Sequence, residues 1–257
     1  MELPLALVYF VLYTLVFALG CALGSFVNVV VYRMSVDIPV IRGRSFCPNC
    51  GKKIAFYDNI PLISYLWLGG KCRKCGEKIS PRYFFTELVG GLLALLMFWH
   101  YGADKSAVLA LMIVMILLAV SLLDADTLKI PNRLVLAFAV TAAVSYWVFL
   151  GPDLKSRIIG IFAVALPMLL AVCIRRDCFG GGDIKLMAVA GFLLGWHGVL
   201  LAAFIAVICG GAAVLAGHLK RQRPEKMAFG PWLCLGIFIA MLWGEKILVW
   251  YLGLLGF

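Results

Sequence analysis

The sequence predicts an all-α polytopic membrane protein, about eight transmembrane helices with a zinc-binding cytoplasmic loop, and three observations carry that prediction. The 257 residues are 64% hydrophobic and only 14% charged, with a mean hydropathy of +1.02, far above the apolar share of a soluble domain. The apolar residues are gathered into segments near the length of about 20 residues that a spanning helix needs. Two Cys-x-x-Cys pairs stand in the one long polar connection between them.

The candidate spans are 4–31, 84–101, 106–123, 133–150, 158–174, 184–196, 198–217 and 229–252. The sixth is short, and with the seventh, across Gly195-Trp196-His197-Gly198, it can form one broken hairpin. The first span is preceded by Glu2 alone, whereas a secretory signal opens with a basic region, so this segment is expected to stay in the mature protein. Within it, the Gly20/Gly24 spacing permits close approach of another helix. Asn28, an amide near the membrane, needs a partner in the bundle or at a site. No repeat of fixed period is apparent.

Lysine and arginine set the orientation. The connection after the first span carries Arg33, Arg42, Arg44, Lys52, Lys53, Lys71, Arg73, Lys74, Lys78 and Arg82. Later connections on that side add Lys129, Arg133, Arg175, Arg176, Lys220, Arg221, Arg223 and Lys226, against only Lys105, Lys155 and Arg157 on the other. Both termini are therefore expected outside, and the long loop inside. The same partition accounts for the net charge of +10 without nucleic acid, whose recognition needs a basic, aromatic-interleaved face on a soluble domain.

Four of the nine cysteines form the pairs Cys47-Pro48-Asn49-Cys50 and Cys72-Arg73-Lys74-Cys75. Each pair presents two thiolates from one turn, and two such turns complete a tetrahedral zinc site. Nearby Lys52, Lys53, Arg73 and Lys74 favour thiolate over thiol. Four thiolates leave no open position, so the metal shapes the loop and does no chemistry; a redox pair or free thiols is the alternative. Between the pairs, residues 58–66 mix polar and apolar side chains in the manner of a segment lying against a membrane.

Two carboxylates stand at the ends of apolar segments. Asp183 follows the run Phe179-Gly180-Gly181-Gly182, and Asp124 precedes Pro131 by seven positions. Acids at membrane depth are costly and mark functional sites. Asp183 can also simply cap its helix, and Asp124 can be a solvated charge, as Asp126 is expected to be. Three glycines exceed what a helix start requires and would let an extended peptide approach Asp183; the run lacks the spacing and Gly-Lys-Ser/Thr ending of a phosphate-binding loop. Two carboxylates brought together share a proton, one activating water while the other polarises a carbonyl. Lys129 and Lys185 read more readily as helix-end anchors than as partners of the acids. Glu245 stands beside Lys246, for which a local ion pair is the simplest account.

With these residues in view the chain resembles the bifunctional type IV prepilin leader peptidase/N-methyltransferase family, membrane aspartyl proteases of the GxGD type. The resemblance rests on Gly24-Ser25-Phe26, Asn28-Val29 and Arg33; on both Cys-x-x-Cys pairs; on Asp58-Asn59-Ile60-Pro61-Leu62; on Arg82-Tyr83 with Glu87; on Asp124 before Pro131; on Gly180-x-Gly182-Asp183-x-Lys185-Leu186; and on Phe229-Gly230-Pro231. It implies Asp124 and Asp183 as the catalytic pair, and cleavage of a basic leader after its terminal glycine in prepilins or secretion-system pseudopilins. It further implies methylation of the new N-terminus with S-adenosylmethionine, and residence in the bacterial inner membrane. The implied organisation is a first transmembrane helix (1–31), a zinc-binding loop associated with methyl transfer (32–83) and a membrane peptidase domain (84–257). No nucleotide fingerprint marks a methyl-donor site; Glu87, Asp58 and Asn59 are the weak candidates. The alternatives are a proton-coupled transporter, which needs acids near the midplane and often repeated halves, and a non-catalytic zinc-loop assembly protein.

Overall fold

A computed structural model of the chain describes residues 5–40, 43–149, 151–175, 178–219 and 227–254. Of the residues used above, Glu2 before the first span, Pro4 and Leu150 at span limits, and Arg42, Arg176, Lys220, Arg221, Arg223 and Lys226, lie outside the described residues. Among the described residues, six helices are long and apolar enough to cross a membrane, and a seventh, Asn132–Val148, is apolar but shorter. The chain divides into two compact units, Met1–Leu111 and Met112–Phe257.

In the first unit, α1 (Leu5–Ser35) packs against α3 (Pro81–Tyr101). Gly20 faces Gly90 and Gly91, and Gly24 faces Thr86 and Glu87, so the two helices run antiparallel along a glycine seam. A Cβ at Gly20 would lie 2.5 Å from the Gly90 carbonyl oxygen, and one at Gly24 2.7 Å from that of Thr86. Lipid tails supply no hydrophobic drive for helix association, and backbone approach of this kind replaces it. The expectation for this glycine pair is met. Asn28 is buried and donates to the Tyr83 carbonyl at 3.3 Å, so its partner lies in the bundle. Pro81 opens α3 behind Ser80, whose hydroxyl accepts the Arg82 N–H, a favourable N-terminus on both counts. The loop between them holds a 3-10 turn (Phe56–Asn59) and the short helix α2 (Ile63–Trp67).

α4 (Lys105–Thr127) begins in the first unit and ends in the second, which also holds α5 (Asn132–Val148), α6 (Leu154–Ile174), α7 (Gly181–Leu219) and α8 (Gly230–Leu254). α7 is two helices: at Gly195 φ is 71° and ψ 176°, and the helix breaks. Packing shows which way each half runs. Gly191 meets the Gly160 carbonyl and Gly195 meets Ser156, so the first half is antiparallel to α6. Gly236 meets the Ala202 carbonyl and Gly210 meets Phe229 and Trp232, so the second half is antiparallel to α8. Gly210 thus returns to the level of the α8 N-terminus, and the broken hairpin expected around Gly195 is present. Counting its halves separately recovers all eight expected segments.

Buried Arg157 fastens the base of this hairpin. It donates to the Pro152 carbonyl at 2.9 Å, the Ser145 hydroxyl at 3.1 Å and the Phe192 carbonyl at 3.2 Å. Phe192 lies three residues before the break, where the helical ladder loses a regular partner. The sequence reading counted Arg157 only as an interfacial charge.

Candidate active site and metal centre

Asp124 and Asp183 both belong to the second unit and both are buried, at 5% and 8% exposure. Asp124 sits in the last turn of α4 and accepts the N–H of Gly230, the first residue of α8, on Oδ2 at 2.9 Å. Asp183 stands in the first turn of α7 and accepts the N–H of Gly180 on Oδ2 at 3.2 Å. The two acids are neighbours: the ring of Phe179, four residues before Asp183, lies 6.0 Å from that of Phe229, which adjoins the Gly230 bound to Asp124. No buried side-chain oxygen among the described residues lacks a partner. Oδ1 of each aspartate makes no hydrogen bond, so both of these oxygens are open to water. The arrangement therefore offers two neighbouring carboxylates, each with one oxygen fixed by a backbone amide and one accessible.

Asp183 does cap its helix, reaching back to the N–H just before it in the manner of a capping box. The glycines divide their work. A Cβ at Gly182 would come 2.7 Å from that of Ile130, and one at Gly180 3.2 Å from the Asp183 carboxylate, whereas Gly181 has nothing within 4 Å. Two of the three serve internal packing, and Gly181 alone faces open space. Lys185 donates to the Asn132 side chain at 2.9 Å, joining the starts of α7 and α5. Among the described residues no cation pairs with either carboxylate; Asp126 is exposed, as expected. The one ion pair among the described residues is Arg73 with Asp58, and Glu245 and Lys246 are exposed without pairing. Gly230 went unrecognised as a contact of Asp124; its only signal was the Phe229-Gly230-Pro231 motif.

The four cysteines of the loop converge as the spacing requires. The Sγ atoms of Cys47, Cys50, Cys72 and Cys75 lie within 4.8 Å of one another, with Cys47 and Cys75 at 3.9 Å. A tetrahedron with Zn–S bonds near 2.3 Å has edges of about 3.8 Å, so the cluster fits zinc. The two turns are copies. Cys47-Pro48-Asn49-Cys50-Gly51-Lys52-Lys53-Ile54 and Cys72-Arg73-Lys74-Cys75-Gly76-Glu77-Lys78-Ile79 share Cys-x-x-Cys-Gly-x-Lys-Ile, a short internal repeat of two copies. In each the first cysteine N–H bonds the carbonyl five residues on, and its own carbonyl accepts from the glycine. Gly51 and Gly76 take φ of 66° and 73°, which favours glycine. The amides of Lys74 and Cys75 bring the Cys72 thiol down to about 7, while at Cys75 the Glu77 amide is outweighed by desolvation and the neighbouring thiols, which push the thiol up to about 11. Asn49 bridges the copies, reaching Cys75 Sγ at 3.9 Å and Glu77 at 3.3 Å.

The segment between the copies is held from two sides. Arg73 grips both oxygens of Asp58 at 2.7 to 3.0 Å and holds its carboxyl below the usual carboxylate range. Glu87, buried on α3, accepts the Leu62 N–H at 2.8 Å. Leu62 has φ of 61° and is the centre of a tight turn in which the Ile63 N–H reaches the Pro61 carbonyl at 2.7 Å, a strained geometry for a side-chain-bearing residue. Arg33, buried at the end of α1, donates to the carbonyls of Pro39, Val40, Gly43 and Arg44 at 2.8 to 3.3 Å and gathers the start of the loop.

Residues 18–101 match the bacterial peptidase A24 N-terminal domain, and residues 109–215 match the type IV leader peptidase family. Curated relatives named prepilin leader peptidase/N-methyltransferase align over nearly their whole length. The protein of Pseudomonas putida is 32% identical, over 97% of this chain and 96% of its own. That of Bacillus subtilis is 31% identical, over 93% and 97%. No solved structure matches. With both family regions present in order and full-length relatives at this identity, the chain belongs to the type IV leader peptidase family, among the bifunctional prepilin leader peptidase/N-methyltransferases.

Proposed function

We propose that this protein cleaves the leader peptide of type IV prepilins or pseudopilins after glycine at the cytoplasmic membrane face, and N-methylates the new N-terminal residue with S-adenosylmethionine. The observation that carries the peptidase half is the pair of buried, neighbouring carboxylates, each held by one backbone amide and each with one accessible oxygen. Asp124 and Asp183 hold one proton between them. The ionised member takes a proton from water as its oxygen attacks the scissile carbonyl, and the protonated member donates to the carbonyl oxygen; collapse to a carboxylic acid and a free amine returns the pair to its starting state. Gly181, open on its outer side, is where substrate backbone approaches.

The reading places peptide hydrolysis in residues 84–257 and associates methyl transfer with the loop 32–83. Eight crossings put both termini on the periplasmic side of the bacterial inner membrane, and the lysine and arginine distribution puts the loop and the carboxylates at the cytoplasm. Zinc bound by Cys47, Cys50, Cys72 and Cys75 fixes the loop and has no open position for chemistry. S-adenosylmethionine, when bound, supplies an electrophilic methyl group to the newly freed amine. Of the candidate ligands, Asp58 has both oxygens on Arg73, whereas Glu87 keeps one oxygen and exposed Asn59 its amide for a donor's ammonium and carboxylate groups. Proton-coupled transport fits less well, because both acids stand at helix ends. The test is purified protein in detergent given a prepilin, with Asp124→Asn and Asp183→Asn in parallel. Loss of cleavage of about 10²-fold or more in each is expected from removing an acid–base group; wild-type cleavage by either variant sinks the dyad.

A further inference from the structure

Between Phe56 and Trp67 the polar side chains of Asp58, Ser64 and Tyr65 are engaged by the protein, whereas six of the apolar and aromatic ones are exposed, with Asn59 beside them. Asp58 is clamped by Arg73, and the buried Ser64 hydroxyl donates to the Ile60 carbonyl at 2.7 Å. The Tyr65 hydroxyl reaches the Ile79 carbonyl at 3.4 Å while its ring lies on Phe84 with centroids 5.4 Å apart. On the outer side, Phe56, Tyr57, Ile60, Ile63, Leu66 and Trp67 are exposed by 78, 54, 45, 61, 67 and 81%. Ile63, Leu66 and Trp67 stand at i, i+3 and i+4 of α2 and share one face. A loop in water places its apolar residues the other way round. The inversion is held in place by the Asp58–Arg73 pair, by the Glu87 contact to Leu62 and by the tight turn at Leu62, so the apolar face is a fixed feature of the loop.

The surroundings identify what covers this face. The loop is continuous at both ends with α1 and α3, each long and apolar enough to cross a membrane, so the segment is tethered near the bilayer surface. Lys52, Lys53, Lys71, Lys74 and Lys78 on the two metal-binding turns are exposed, while the acids of residues 47–80, Asp58 and Glu77, are engaged by Arg73 and Asn49. An apolar peptide would satisfy the aromatic and aliphatic stripe but not the lysines. Exposed apolar side chains in a loop that also exposes five lysines suit the interface of an anionic phospholipid membrane.

We propose that Phe56–Trp67 is an interfacial anchor that seats its apolar stripe among acyl chains while the lysines of the metal-binding turns engage anionic headgroups. The test uses the full-length protein in lipid nanodiscs of phosphatidylcholine alone or mixed with phosphatidylglycerol, each also prepared with brominated acyl chains. The Trp67 signal is the difference in emission between wild type and Trp67→Phe. Loss of that signal to bromine in phosphatidylglycerol discs, with slowed amide exchange over Phe56–Trp67, is expected. The loss should be smaller in phosphatidylcholine alone, and Gln at all five lysines should remove the difference, with unchanged zinc content showing the turns intact. Insensitivity of Trp67 to bromine in both discs overturns the proposal, and equal quenching in both overturns its headgroup half. Protection that appears only when prepilin is added assigns the face to substrate docking instead.

Discussion

Replacing Gly230 with alanine perturbs the site by a single carbon. The added Cβ would stand 2.6 Å from Asp124 Oδ2 and 2.9 Å from its Cγ. Ordinary contact begins at 3.4 Å, so the carboxylate must retreat by roughly 0.8 Å or the start of α8 must shift by as much, and the 2.9 Å bond from the Gly230 N–H is lengthened either way. Misplacement on the scale of 1 Å costs reactions of this kind about 10²-fold, and a fall in kcat for leader cleavage of about 10- to 100-fold is expected. The change is otherwise mild, since alanine is a better helix former than glycine. The assay is leader release from a prepilin in detergent, run beside methylation of a pre-cleaved pilin and zinc content. Both controls should hold. Wild-type kcat in Gly230→Ala would refute the claim that the α8 N-terminus sets the position of Asp124.

Three further outcomes follow from other parts of the molecule. Cys47→Ser leaves three sulfurs for a site that needs four, so elemental analysis should show zinc lost, and amide exchange should quicken over residues 45–80. Arg157→Met strips the Phe192 and Pro152 carbonyls of their donor, each unsatisfied group costing about 1–3 kcal/mol. The melting temperature in detergent should fall, and Arg157→Lys should not restore it, because one ammonium cannot span three acceptors. Arg73 depresses the Asp58 carboxyl in the folded loop, so the pair contributes stability above the unfolded value of about 3.9 and loses it as pH falls through the lower folded value. Asp58→Asn should therefore exchange faster than wild type over Phe56–Trp67 near neutral pH and match it under strong acid; a gap that persisted there would refute the assignment.

What the sequence disclosed depended on whether a feature is written in composition, in spacing or in neither. Spans are compositional, and all were recovered, including the doubtful pair across Gly195. The four cysteines were legible from spacing, whereas the duplicated Cys-x-x-Cys-Gly-x-Lys-Ile occurs only twice, separated by unrelated residues, and so sets no period. The glycines before Asp183 were legible as unusual, but their tasks were not: Gly182 answers to Ile130, which lies in another connection. Gly230 contacts Asp124 across 106 positions through a backbone N–H that any residue except proline carries. Arg157 was hidden for the same reason. Its acceptors are two carbonyls and a serine, and an arginine near a helix end resembles an anchor until its neighbours are known.

The means by which the fold tolerates two buried acids bears on how they work. Among the described residues neither carboxylate has a cationic partner. Each instead accepts one N–H at the start of a helix, Gly180 before α7 and Gly230 at the head of α8. A helix N-terminus carries about half a positive charge in its unpaired amides, enough to offset part of the cost of burying a carboxylate. A lysine or arginine at hydrogen-bonding distance would hold its partner permanently ionised, since breaking such a buried pair is costly. An amide donor is neutral and accepts no proton itself, so in the proposed mechanism the pair can pass a proton between its members and to substrate without an ion pair having to break. Helix ends thus orient the acids while leaving their protonation free to change, which is the condition that general acid–base hydrolysis imposes on a dyad.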